Sequence, residues 1–184
     1  MTDLADQTDA TGYGYGTIAA GYFARASARV RSFAKSRGVS LDPNTYTVTM
    51  RGPSGRLPNR PVRSITSVSD VEIPSDPVTL DSDLWTLRTG GVLEVPLYGG
   101  NLSVVYAGGY LTVPDEVVEL VCAIASRMAN TAAAASTGVQ QETGGSESVT
   151  FGFDSYSGIS DLTTGEIRSL GRMFPLLPSL VVMR

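Results

Sequence analysis

The apolar positions of the chain change period as it proceeds. Between residues 17 and 37, Ala19, Tyr22, Phe23, Ala26, Val30 and Phe33 recur every three or four positions. That stripe predicts an amphipathic helix, with Gly38 placed to cap its C-terminus. From 45 to 107 the period falls to two. TYTVTM, PVRSITSVSDVEI, DLWTLR, GVLEVP and LSVVYA alternate or are rich in β-branched residues, as strands require. Turn-forming residues separate them, and Arg88–Gly91 and Tyr98–Asn101 each have the composition of a hairpin turn. The basic stretch RGPSGRLPNRP is expected to project as a loop.

Helical period returns at 115–131. Val117, Val118, Leu120, Val121, Ile124, Ala125 and Met128 fall on one arc, and Asp115, Glu116, Glu119, Ser126, Arg127 and Asn130 on the other. Pro114 and the early carboxylates suit a helix N-terminus. Residues 132–148 are low in complexity and read as a linker, followed by a short strand at 148–153. Thr163-Thr-Gly-Glu166 is a capping box that opens a final helix bearing Ile167, Leu170 and Phe174. Pro175 ends that helix, and the apolar stretch PLLPSLVVMR follows. Residues 1–16, polar and acidic, are expected to be a flexible arm. The pattern therefore predicts an α+β chain. It is mainly α, a small antiparallel helical bundle with an inserted antiparallel β meander (45–107) and an extended C-terminal tail (175–184).

Composition narrows the class. At 184 residues and 42% hydrophobic, with a mean hydropathy near zero, the chain is long enough and apolar enough for one domain with a real core. The longest apolar run is too short to span a bilayer, and the first residues lack the apolar centre of a signal peptide. A protein made and used inside a cell, or packaged from one, is expected. There is no histidine and a single cysteine, Cys122. Ser-His-Asp and Cys-His catalysis and His-ligated zinc sites are thereby excluded, and no intrachain disulfide can form.

Charge is divided along the chain. Residues 25–63 hold nine bases (Arg25, Arg29, Arg31, Lys35, Arg37, Arg51, Arg56, Arg60 and Arg63) against Asp42 alone, whereas 70–161 hold thirteen acids against Arg88 and Arg127. Such a division suits either nucleic-acid binding or a basic flank that meets the acidic flank of the next copy. On the second reading Arg25, Arg29, Arg31, Lys35 and Arg37 form one side of a subunit interface, and Glu116 and Glu119 the other. A plain solvated face is the alternative for Arg31 and Lys35.

The remaining candidates for chemistry weaken on inspection. Gly108-Gly109, between strand and helix, has the look of a phosphate loop. Five residues separate it from a helix that opens with acids, so a structural corner is expected. Asp81-Ser-Asp83 has turn composition, and Cys122 sits at the edge of an apolar arc as a buried, inert thiol. No catalytic residue, metal site or cofactor site is expected, and no signature of a sequence-specific DNA reader is present.

The order of elements is more specific than any one site. The patterns 26-ASARVRSF-33, VVYAGGYLTVPDEVVELVCAIASRM and 162-LTTGEIRSL-170 resemble the head–tail connector (adaptor) proteins of long-tailed double-stranded DNA bacteriophages, over roughly residues 17–174. The resemblance implies a virion protein of the phage neck, made in the host cytoplasm and without enzymatic activity. It implies a homo-oligomeric ring, usually a dodecamer, under the portal protein. DNA passes non-specifically through the lumen, and a head-closure or tail protein binds below. It further implies portal contacts by the C-terminal part (Arg168, Arg172, Leu176, Leu177, Leu180, Val181, Val182 and Met183) and contacts of Arg51, Arg56 and Arg60 with the next neck protein. No membrane is involved. The alternatives are another neck or tail component, a head-closure or tail-terminator protein, and a nucleic-acid-binding module. The family often has a leading acidic helix where this chain has its Tyr/Gly arm.

Overall fold

The computed structural model describes residues 2–73, 76–96, 98–136, 141–144, 147–150 and 162–176. The chain divides into two compact units. One comprises residues up to Phe33 together with Val113–Met173, and the other contains Ala34–Thr112. The first is helical and the second is β-rich, so the α+β class with an antiparallel β insert is as expected.

In the helical unit, α1 spans Gln7–Gly12, α2 Ala20–Ser36 (its last turn falling in the second unit), α3 Asp115–Ser136 and α4 Thr164–Met173. Phe23, Ala26 and Val30 of α2 are buried, as are Val117, Val121, Cys122, Ile124, Ala125 and Met128 of α3 and Leu170 of α4. Apart from Cys122, at the edge of its arc, these belong to the predicted arcs. Ala19, read as part of the first stripe, lies before α2 and is exposed. The predicted capping box is formed: Thr163 Oγ1 accepts from Glu166 N–H at 3.3 Å, and Glu166 Oε2 accepts from Thr163 N–H at 2.6 Å.

Two local expectations for this unit are corrected. The segment expected as a flexible arm is structured over its described residues 2–16, because Asp6 and Asp9 form a capping box that opens α1. Leu4, Ala5 and Ala10 are buried there, and Leu4 N–H donates to the buried Ser27 Oγ at 2.9 Å. The stretch from 132 is also not all linker. The run Thr131–Ser136 continues α3, since alanine has the highest intrinsic helix propensity. An antiparallel pair follows, β8 (Gln141–Gly144) with β9 (Glu147–Thr150). Residues 151–153 of the predicted short strand lie outside the described residues.

The β-rich unit takes in the last turn of α2. Gly38, at φ +68°, ends the helix, with Val39 N–H bonded to Ala34 O and Gly38 N–H to Lys35 O, the paired bonds of a Schellman motif. Seven strands follow: β1 Asn44–Arg51, β2 Ser54–Arg56, β3 Val62–Asp70, β4 Val78–Thr79, β5 Thr86–Arg88, β6 Val92–Glu94 and β7 Asn101–Gly108. They form two antiparallel sheets, ordered β1-β7-β3-β4 and β2-β6-β5. Alternation along β7 buries Leu102, Val104 and Tyr106 on one face, beside Val68, Leu57, Leu93 and Val95.

Arg88–Gly91 makes the expected hairpin turn between β5 and β6, with Gly90 and Gly91 at positive φ. Tyr98–Asn101 is not a hairpin. It carries the chain from one sheet to the other, because β7 pairs with β1 and β3 rather than with β6. The RGPSGRLPNRP stretch does not project either. It supplies β2, buries Leu57, and offers Pro58 O to the Tyr106 hydroxyl at 2.7 Å.

Candidate functional site

Gly109 is a corner built for close approach. Its φ is +84°, and a Cβ there would stand 2.1 Å from Asp42 O. A Cβ on Gly108 would stand 2.6 Å from Asn59 O. The space over the glycine pair is thus filled by the chain's own carbonyls. Gly109 N–H is itself bonded to Pro61 O at 2.9 Å. Cys122 is fully buried, and desolvation, followed by the nearby carboxylates Asp9, Asp6 and Glu119, pushes its thiol up to about 11. A thiol so protonated is a poor nucleophile. Asp81 lies in the turn leading into a short 3-10 segment (Ser82–Leu84), with its carbonyl bonded to Leu84 N–H. Among the described residues no group of three or more His, Cys, Asp or Glu side chains converges as a metal site, and no helix is long and apolar enough to cross a membrane.

The charged candidates are mostly at the surface, but not as one flank. At about 100° per residue, Arg25 and Arg29 lie on one side of the buried stripe of α2, and Arg31 and Lys35 on the other. Arg25, Arg29 and Lys35 are exposed, and the Arg25 guanidinium lies 5.9 Å from the Tyr22 ring centroid. Arg31 is half-buried and donates to Thr2 O, so part of its charge is spent holding the N-terminal segment. Arg37 is half-buried, and its carbonyl accepts from the Arg60 guanidinium at 2.7 Å. Glu116 and Glu119 are exposed in the first turns of α3.

Arg51 is exposed at the end of β1, whereas Arg56 and Arg60 are half-buried. Arg168 and Arg172 are exposed on α4, and Leu176 beyond it is 66% exposed. Leu177, Leu180, Val181, Val182 and Met183 lie outside the described residues. Reasoning from sequence missed the half-buried pair Arg127–Glu166. Arg127 Nε donates to Glu166 Oε1 at 2.8 Å, and Nη2 donates to Oε2 at 3.1 Å, joining α3 to α4. Glu166 was visible only as a cap, because its second partner is 39 residues away.

Among the described residues the arrangement has no constellation of nucleophile, base and anion-stabilising donors. What it presents is surface: cations on two sides of α2, acids at the head of α3, and an eight-residue strand, β1, at the margin of a sheet. No protein-family model matches the chain, and no curated protein matches it. Solved structures do. One is a chain in the neck of a native gene transfer agent (GTA) particle computed with C12 symmetry, with a TM-score of 0.55 and 12% identity over 94% of this chain and 89% of that one. Another is in the neck of an empty GTA particle computed with C6 symmetry, with a TM-score of 0.54 and 13% identity over 90% and 82%. A third belongs to the virion of the native particle, with a TM-score of 0.52 and 13% identity over 90% and 81%. The chain has the fold of these particle chains. The matched 90–94% of the chain takes in residues of both units.

Proposed function

We propose that the chain is a structural protein of the neck of a phage-like particle, an adaptor ring through which DNA passes. The carrying observation is the fold shared with neck chains of a gene transfer agent over 90–94% of this chain. The six- and twelvefold symmetries belong to those particles. For this chain they support a closed ring of identical copies, a dodecamer. The resemblance of the sequence to phage connectors supports the same place in a virion, assembled in the host cytoplasm from a non-enzymatic subunit.

In this reading the portal lies on one side of the ring and a head-closure or tail protein on the other. Exposed Arg25, Arg29 and Lys35, with Arg31 and Arg37, face Glu116 and Glu119 of the adjacent copy. Such a heterologous contact closes when its rotation allows. Arg168, Arg172 and Leu176 lie at the edge of a contact in which the chain beyond them docks in extended form, on the portal or on a neighbouring subunit. Arg51, Arg56 and Arg60 serve the protein below. DNA in the lumen is met without sequence recognition.

Charge reversal tests the ring contacts. Lys35→Glu and Arg25→Glu, made separately, probe the two sides of α2. Each is expected to leave a folded monomer, and at least one to abolish assembly. Assembly unchanged in both removes the basic residues of α2 from the interface. Tight, salt-dependent binding of short duplex DNA by the isolated chain, with no oligomer formed, replaces the adaptor reading with a nucleic-acid-binding module.

A further inference from the structure

The two margins of the four-stranded sheet are built differently. At one, β4 is two residues long, follows Pro77, and lies on a strand whose register shifts twice. Short edge strands, proline and bulges are the usual protections against stray pairing. At the other margin β1 runs for eight residues without proline, glycine or bulge, and its one charged residue is Arg51 at the end.

The ladder shows which backbone groups of β1 face outward. Gly52 N–H bonds Gly100 O at 3.2 Å, next to the Arg51–Asn101 pair. Hydrogen-bonded pairs alternate in an antiparallel ladder. The even residues of β1 therefore bond β7, while Thr45, Thr47, Thr49 and Arg51 turn N–H and C=O away from it. Thr45 N–H, turned outward, is taken by Asn44 Oδ1 at 2.8 Å. The core is also unfinished along this margin. Tyr106, Val104 and Leu102 of β7 are fully buried, but their partners Tyr46, Val48 and Met50 on β1 remain half-exposed.

We propose that the outer edge of β1, which no strand among the described residues covers, receives residues 177–184 of a neighbouring copy, which add as a further strand through Leu180–Met183. The proposal rests on the ring reading above and names the neighbour's surface on which the tail docks. The segment LPSLVVMR has what the edge lacks. Its LVVM core is apolar and β-prone, Pro178 bars a continuous helix, and no acid opposes Arg51. With side chains alternating, two of the four residues cover Tyr46, Val48 and Met50. The other two lie beside Thr45, Thr47 and Thr49, where no charge opposes them. Each subunit is then donor at one side and acceptor at the other, a heterologous contact suited to a ring.

The test is disulfide trapping in the full-length chain. Thr47→Cys is combined with Leu180→Cys, Val181→Cys, Val182→Cys or Met183→Cys in turn, with Cys122 left in its buried place. Cross-links between copies are expected with a period of two. Positions 180 and 182 should behave alike, as should 181 and 183, and one set should exceed the other at least roughly fivefold, as strand alternation demands. Thr47→Pro, with cysteine moved to Thr49, removes an outward N–H that β7 does not use and is expected to abolish the product. Deleting 177–184 should expose the Thr47 and Thr49 amides to fast hydrogen exchange without disturbing the described fold. Cross-links only within one chain, equal yields at all four positions, or none, overturn the proposal. Native mass measured on the same samples reports separately on the ring. A ring without cross-links between copies sinks strand exchange alone, and a monomer without them sinks both.

Discussion

Among the described residues the helical unit is closed, whereas the β-rich unit has an uncovered margin. In the helical unit every centre of an apolar arc is buried, and polar ties fasten its margins. Ser27 Oγ holds Leu4 N–H, Tyr13 Oη donates to Asp115 O at 3.3 Å, and Arg127 grips Glu166 with two hydrogen bonds. In the β-rich unit the core is complete under β7 but fades under β1. The outward edge and face of β1 carry threonines in place of lysine, proline or a bulge. Stability therefore rests on the buried arcs of the helical unit, whereas the margin at β1 leaves backbone groups on which another strand can pair. Changes in the closed unit should unfold the protein, and changes along the open margin should leave it folded but alone.

The largest effect is expected in the closed unit. Val121 is fully buried near the middle of α3. Val121→Asp forfeits its burial and buries a carboxylate without a partner, a loss of at least about 3 kcal/mol. Thermal unfolding should show collapse of the helical signal, and an unchanged melting temperature would dissolve the contrast between the units. Next is the corner of the β-rich unit. Gly109→Ala places a Cβ against Asp42 O at a φ suited to glycine, and should cost about 2–4 kcal/mol in denaturant unfolding. A neutral result would mean that the corner yields freely.

A smaller effect follows from Glu166→Gln. It keeps the shape of the cap but removes the charge that Arg127 faces, at about 1–3 kcal/mol, and the same change should cost less in an Arg127→Met background. Full additivity in that double-mutant cycle would show that the two side chains act separately.

The smallest effect is a pH dependence at the sheet margin. The Tyr98 hydroxyl and then the Glu72 N–H hold Asp70 below its ordinary value, and the same Asp70 contact pushes Tyr98 up to about 12. The lowered carboxyl contributes stability above its unfolded value, and that contribution is lost as pH falls through the folded one. Tyr98→Phe should flatten the acid limb of the stability profile below about pH 4 and leave neutral pH nearly unchanged. An acid limb of undiminished slope would place the titration elsewhere.

Much of this was legible in the sequence because the physics involved is local. The arcs of α2 and α3, the glycine that stops α2, the Thr163–Glu166 box and the Arg88–Gly91 turn all depend on residues within a few positions. What escaped depends on distant partners or on competing local signals. YGGN has the composition of a hairpin, but β7 found its partners in β1 and β3. RGPSGRLPNRP is punctuated like a loop, yet Leu57 is drawn beneath the sheet. The Asp6–Asp9 box was hidden by the polarity that marked the segment as an arm, and Arg127 could not announce Glu166. The surface candidates were legible as charges but not as a geometry. Only the turn angle of a formed helix separates Arg25 and Arg29 from Arg31 and Lys35.

If the chain assembles as proposed, it closes into a ring of identical copies. Its most direct test is native mass spectrometry of the full-length chain, alone over a wide concentration range and recovered from particles that contain it. One closed assembly of twelve copies is expected, lost on charge reversal at α2 while the monomer keeps its spectrum. A chain that remains monomeric throughout, including within particles, would contradict it.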